Sequence, residues 1–248
     1  MDIALAASKN IAFSIAAAQS SSVPLDVEAN VQDHLRYVEA AAAQGVQWLV
    51  FPELSLTGYE LEAMPDHVLH AGDAVLAPLR AAAQRTGMAI TVGAPLASGT
   101  ALPFIGALTL HPDGRHAAYA KHHLHDGETR FATAGAAPVH LQPWSGWQIA
   151  SAICADTNHP SHAAAAAQAG ATVYSAGILT SAKGYAAEAP LWARYAREHR
   201  MTVLIANHGG PAGGYQSVGL SGIWTTDGQL LVQAQGTGDC LVIAKAAS

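Results

Sequence analysis

Trp147-Gln148-Ile149-Ala150-Ser151-Ala152-Ile153-Cys154-Ala155-Asp156-Thr157-Asn158-His159-Pro160 is a short, mostly apolar run that ends on a cysteine and reaches a proline soon after. Trp147 to Ile153 reads as a buried strand. Pro160 to Gln168, alanine throughout from Ala163 to Ala167, reads as a strong helix former opened by its proline. A cysteine between them sits on an exposed bend. Helix amides facing that bend favour the anionic form of the thiol. The alanine run reads as close helix packing, not disorder.

The same alternation extends in both directions. Phe13 to Ala18 reads as a strand, and Val27 to Gln44 carries Val31, Leu35, Val38 and Ala42 on one face and stops at Gly45, as an amphipathic helix does. Strand Trp48 to Phe51 follows, then a helix over Ala74 to Arg85 ended by Gly87, then strand Met88 to Val92. Ile105 to Leu110 and Arg115 to Ala120 flank His111-Pro112-Asp113-Gly114, a tight reversal. Downstream come strand Ala171 to Ser175, helix Ala187 to His199, strand Thr202 to Ala206 and a last hairpin across Thr226-Asp227-Gly228. Two successive β/α layers are expected, with no internal repeat or linker.

Two other strand exits carry ionisable groups. Phe51-Pro52-Glu53-Leu54-Ser55-Leu56-Thr57-Gly58-Tyr59 supplies a carboxylate, and Lys121-His122-His123-Leu124 supplies an ammonium. With Cys154 these make a kit for acyl transfer. A thiol attacks a carbonyl or nitrile carbon as thiolate, so a base must take its proton. Glu53 can take it, pass it to a departing amine and then activate water. Lys121 and the backbone N–H of Ala155 can hold the oxyanion of the tetrahedral intermediate. No metal or organic cofactor is needed.

At these residues the chain resembles the nitrilase, or carbon–nitrogen hydrolase, superfamily, whose signature is a Glu–Lys–Cys triad in this order. Gln19, Asp26 and Asn30 look like its opening strand and helix, and Phe51 to Tyr59 is similar to its glutamate segment. The hairpin running into Tyr119-Ala120-Lys121 fits as well, as do Ile205-Ala206-Asn207 and Gly219-Leu220-Ser221. The resemblance covers about residues 12 to 245, which leaves one hydrolase domain over 1–248. It implies a four-layer α-β-β-α sandwich, a homo-oligomer, and a role for Glu128 in positioning lysine and substrate. Ala155-Asp156-Thr157-Asn158-His159-Pro160 departs from both the Trp-Glu of nitrilases and the Tyr-Asp of many amidases. Asp156 leans toward the amidase side.

Composition fits a compact enzyme. The 248 residues are 50% hydrophobic and 12% charged, with a formal net charge of −6, which offers no broad basic footprint for nucleic acid. No apolar run approaches the roughly 20 residues of a membrane span. Ile11 to Ala18 followed by Gln19 has the outline of a signal-peptidase site, but Asp2 cancels the charge of Lys9. Two cysteines with 85 residues between them form no disulfide framework, and a reduced Cys154 suits the cytoplasm. Cys240 reads as a small core residue. His122, His123 and His125 lack partner ligands at zinc-site spacing. Gly209-Gly210-Pro211-Ala212-Gly213-Gly214 lacks the Lys-Ser/Thr of a phosphate loop, and no Gly-x-Ser-x-Gly elbow is present.

The expected function is cysteine-dependent hydrolysis of a small linear amide through a thioester, releasing ammonia or an amine. A nitrilase, an acyl transferase and a non-catalytic small-molecule-binding or scaffold role stay open. Tyr59, Thr157, Asn158 and Ala176 to Leu179 are expected to line the pocket if strand exits converge. No Arg or Lys in those loops obviously fits a substrate carboxylate, which favours a neutral substrate, with Lys183 as the exception.

Overall fold

A computed structural model describes residues 1–9, 11 and 13–247. Ala12, where the family resemblance is set to begin, lies outside them. Two sheets stack face to face, each with helices on its outer side. The first sheet holds β1 (Asp2–Ser8), β2 (Ile15–Gln19), β3 (Trp48–Val50), β4 (Ala89–Leu96), β5 (Phe104–Leu110), β6 (His116–Ala120) and β13 (Cys240–Ala246), in the order β1-β13-β2-β3-β4-β5-β6. The second holds β7 (Leu141–Trp144), β8 (Trp147–Ile153), β9 (Val173–Ile178), β10 (Thr202–Asn207), β11 (Gly222–Trp224) and β12 (Leu230–Gln233), in the order β12-β11-β10-β9-β8-β7.

Each sheet has a parallel core of three strands, β2-β3-β4 in one and β8-β9-β10 in the other. Parallel neighbours need crossovers, and crossovers of one hand put both helices on the same face. Helices α1 (Val27–Ala43) and α2 (Ala77–Thr86) therefore cover the first sheet, and α3 (Pro160–Gln168) and α4 (Ala182–His199) cover the second. Alternation along the strands sorts the side chains. In β3, Leu49 joins Val31, Tyr37 and Leu79 under the helices, whereas Trp48 and Val50 meet Ile149, Val173 and Leu204 between the sheets. On the far side Ala152 and Tyr174 pack against Ala163, Ala166, Trp192 and Tyr195. The result is the four-layer α-β-β-α sandwich. Ala163 and Ala166 are fully buried, so the alanines of α3 let the helix lie close to its sheet.

Local signals set the ends. Asp26 caps α1 by accepting from the Ala29 N–H at 2.9 Å, and Gly87 in the left-handed region closes α2. A 3-10 turn over Ala74–Leu76 replaces the first turn expected for α2. Helix α4 starts five residues earlier than expected, because Ser181 accepts from the Gly184 N–H and caps it. Three strands escape the sequence pattern, β1, β7 and β13. Cys240 lies in the core between the sheets.

Candidate active site

Three strand exits meet at one end of the interface between the sheets. The Glu53 backbone threads between two glycines. A Cβ on Gly93 would lie 2.3 Å from Leu54 N and from Pro52 O, and one on Gly177 would lie 2.5 Å from Phe51 O. The main chain can approach this closely only because neither residue has a side chain. His208 adds a hydrogen bond from Nε2–H to Glu53 O at 2.7 Å. Buried at that position, the Glu53 side chain sends Oε1 to Lys121 Nζ at 2.6 Å, while Oε2 has no hydrogen-bond partner among the described residues.

Lys121 follows β6 and is fully buried. Its ammonium also donates to Glu128 Oε1 at 2.7 Å. That oxygen takes a second bond from the Tyr59 hydroxyl, and Oε2 accepts from the His125 N–H at 2.7 Å. One cation between two carboxylates explains the protonation pattern. Burial, and the nearby charge of Glu128, push Glu53 up to about 7 against the pull of Lys121. Burial works against the charge of Lys121, but Glu53, Cys154 and Glu128 outweigh it and raise its value. A carboxyl poised near neutrality suits proton transfer.

Cys154 stands where β8 breaks into a 3-10 turn, Cys154–Asn158, with a φ of 42°. A left-handed backbone at a residue other than glycine is strained and must be held by its surroundings. Asp156 holds it. Its Oδ2 accepts from Ile153 N–H at 3.0 Å and from the Tyr119 hydroxyl at 2.7 Å, and its Oδ1 accepts from the His123 N–H at 2.8 Å. Fully buried, Asp156 thus ties the cysteine bend to the lysine loop. Behind it runs a consistent chain of donors, in which the Tyr174 hydroxyl gives to His162 Nδ1 and His162 Nε2–H gives to Tyr119, each at 2.9 Å. Burial lowers His162 to about 4, so the ring is neutral as this chain requires. Thr157 Oγ1 donates to Cys154 O at 2.9 Å. Burial also raises the Cys154 thiol well above its ordinary value, so it rests as S–H and needs a base.

A cavity of about 480 Å³ opens over Sγ. Tyr59, Glu128, Leu179 and the half-buried Glu188 line it, with His125 beside the sulfur. Of the residues expected in the pocket, Tyr59 and Leu179 line it and Thr157, Asn158 and Ala176 do not. Thr157 is buried beneath the bend, Asn158 bonds to Glu188 from behind at 3.3 Å, and Ala176 faces the core. Strand β9 runs on to Ile178, so of Ala176 to Leu179 it is Leu179 that reaches the cavity, together with Thr180 and Ser181. Lys183 is not among its lining residues. Ala155, next to Cys154 in the same 3-10 turn, is buried.

The three histidines after Lys121 take different partners, although the His122 and His123 rings meet edge to face with centroids 4.6 Å apart. His122 Nδ1 bonds to Gly135 O at 2.7 Å, His123 Nδ1 to Asp156 Oδ1 at 3.1 Å, and His125 Nε2 lies 3.4 Å from Cys154 Sγ. Among the described residues no three His, Cys, Asp or Glu side chains stand in a metal-binding group. Likewise no described helix is long and apolar enough to cross a membrane.

The carbon-nitrogen hydrolase sequence model matches residues 14–247, and the chain belongs to that family. No curated protein matches it. Among solved structures it is similar to the amidase from Nesterenkonia sp. AN1, a member of the nitrilase superfamily. A mutant of that amidase showing Michael addition of acrylamide at its active-site cysteine is 28% identical, with 94% of this chain and 92% of that one covered and a TM-score of 0.86. A second mutant, in complex with butyramide, is 28% identical over 93% of this chain and 89% of that one, again at 0.86.

Proposed function

We propose that the chain hydrolyses a small linear amide through a thioester on Cys154 and releases ammonia or an amine. The observation that carries this reading is the buried Lys121 ammonium held between Glu53 and Glu128, beside a strained cysteine that opens on a cavity. Similarity to an amidase solved with butyramide supports an amide over a nitrile.

In this mechanism Glu53 Oε2, left without a partner, takes the thiol proton as Sγ attacks the carbonyl carbon. The S–C bond forms and the carbonyl electron pair moves to oxygen. Lys121 and the Ala155 N–H hold that oxyanion. Glu53 returns its proton to the nitrogen, the C–N bond breaks, and the amine leaves. Water, deprotonated by Glu53, then attacks the thioester; the S–C bond breaks, Glu53 returns that proton to sulfur, and the acid is released. Glu128 touches none of the reacting atoms through Lys121 alone. Its position at the cavity wall lets it also accept from the substrate nitrogen.

No cofactor takes part. The same reading makes the chain one hydrolase domain, forming a homo-oligomer in the cytoplasm, where the free thiols of Cys154 and Cys240 stay reduced. Ammonia release from a panel of short amides, carbamoyl compounds and nitriles tests it, with Cys154→Ala run in parallel. Ammonia from amides, absent in the variant, is expected. Ammonia from nitriles alone, or turnover surviving in Cys154→Ala, would overturn the reading.

A further inference from the structure

His125 sits four residues past Lys121 on the loop that carries Glu128. Its ring Nε2 is 3.4 Å from Cys154 Sγ, within hydrogen-bond reach of a sulfur, and the ring also lines the cavity over the nucleophile. Two bonds fix it there. Its backbone N–H donates to Glu128 Oε2 at 2.7 Å, and the Glu128 N–H donates to His125 O at 3.1 Å. The backbone that carries the imidazole is therefore anchored by the same carboxylate that grips Lys121. The sulfur also lies 3.6 Å from Leu179 O, within hydrogen-bond reach of the Glu53 carboxylate and under the charge of Lys121. Carbonyl and carboxylate oxygens can accept from a thiol but cannot donate to a thiolate, so the His125 ring supplies a hydrogen-bond donor where Lys121 supplies charge.

We propose that His125 is a catalytic residue that donates its Nε2–H to Cys154 Sγ once the thiol proton has passed to Glu53. The S–H bond breaks, the proton joins a Glu53 oxygen, the electron pair stays on sulfur, and the imidazole keeps its own proton throughout. When the S–C bond forms, the sulfur no longer carries charge and the ring's N–H is freed to face the cavity. Charges around the ring suit a neutral donor. From its own loop Lys121, Asp126 and Glu128 act on it, from the start of α3 His159 does so, and Arg130 stands on the same cavity wall. Burial and Lys121 hold the imidazole below its ordinary value, against the pull of Glu128 and Asp126, so it donates without becoming a second cation beside Lys121.

The inference rests on Cys154 being the nucleophile of the proposed reaction, yet its test reads the thiol directly. The rate of carbamidomethylation by iodoacetamide is followed at the Cys154 peptide by mass spectrometry, from about pH 6 to pH 10. Wild type, His125→Phe and His125→Ala are compared at full length, and thermal melting checks that each folds. One hydrogen bond to an anion is worth about tenfold, so both variants should react about tenfold more slowly near neutrality, with profiles shifted up by about one pH unit. His125→Gln, whose amide can donate, should recover part of the rate. A loss of packing alone would lower the melting temperature without moving the profile. Profiles of folded His125→Phe and His125→Ala that overlie wild type within about twofold would overturn the proposal. A shifted profile in a protein that hydrolyses no amide would sink the proposed function and leave the role of His125 standing.

Discussion

Gly177→Ala should damage both the fold and the site. The added Cβ would lie 2.5 Å from Phe51 O and 2.9 Å from Pro52 C and Glu53 N, where ordinary contact begins at 3.4 Å. All three are backbone atoms, so no side-chain rotation can relieve the contact. Relief therefore requires the sheets to part at this point by roughly 0.9 Å. Such overpacking costs about 1–3 kcal/mol, or about 2–12 °C in melting temperature for a chain of this length. The displacement falls on Glu53, and a shift near 1 Å would stretch its 2.6 Å bond to Lys121 past hydrogen-bonding range. Misplacement on that scale lowers turnover about 100-fold. Calorimetry and amide hydrolysis would be measured beside Gly72→Ala, whose added Cβ meets nothing within 4 Å. Wild-type melting and turnover in folded Gly177→Ala would refute the close-approach argument.

Lys121→Met should leave Glu53 and Glu128 facing each other in the interior, a loss of about 3–5 kcal/mol in urea unfolding near pH 8 that shrinks in mild acid as Glu53 takes a proton. An equal loss at both pH values would contradict the shared-cation picture. The acid limb of kcat/KM should fall near pH 7, because Glu53, pushed up to about 7, accepts the thiol proton only when ionised; a limb near the ordinary value for a glutamate would remove it as the base. Burial depresses His34 to about 3 and both His162 and His208 to about 4. Each folded imidazole refuses a proton that the unfolded one accepts, so stability present above about pH 6.5 is lost as pH falls toward those values. Glu53 runs oppositely by one proton, which leaves a net slope of about 3 kcal/mol per pH unit near pH 5.5. Urea midpoints that stay flat from pH 7 to about pH 5 would contradict this balance.

Much of the sandwich was legible because its central strands and helices carry strong local signals. Trp147 to Ile153 is uniformly strand-like, Pro160 opens α3, and Asp26 and Gly45 bracket α1. Strand β1 was not legible, since Asp2–Ser8 is an edge strand with a half-exposed pattern and two charged or polar ends. Strand β7 was hidden by Pro143, which argues against a strand in sequence and is tolerated here because β7 is the sheet's edge. Glu53, Lys121 and Cys154 could be picked out because each lies at or within three residues of a strand's end and sits in a segment that resembles one family. Thr157 and Asn158 were misplaced because the 3-10 turn folds them back under the bend, a path that residue type does not reveal. Ala176 was misplaced because β9 runs two residues past it before reaching the cavity. Asp156 and His125 depend on partners roughly 30 residues away, and no local spacing marks such a pairing.

The central claim is a covalent acyl group on Cys154, and rapid acid quenching followed by peptide mass spectrometry tests it most directly. Full-length protein mixed with a short linear amide should show the mass of the acyl group, less the departing amine, on the peptide containing Cys154. The adduct should be absent from Cys154→Ala and should disappear as substrate runs out. Ammonia release with Cys154 unmodified at every time, or an adduct on another residue, would contradict the account.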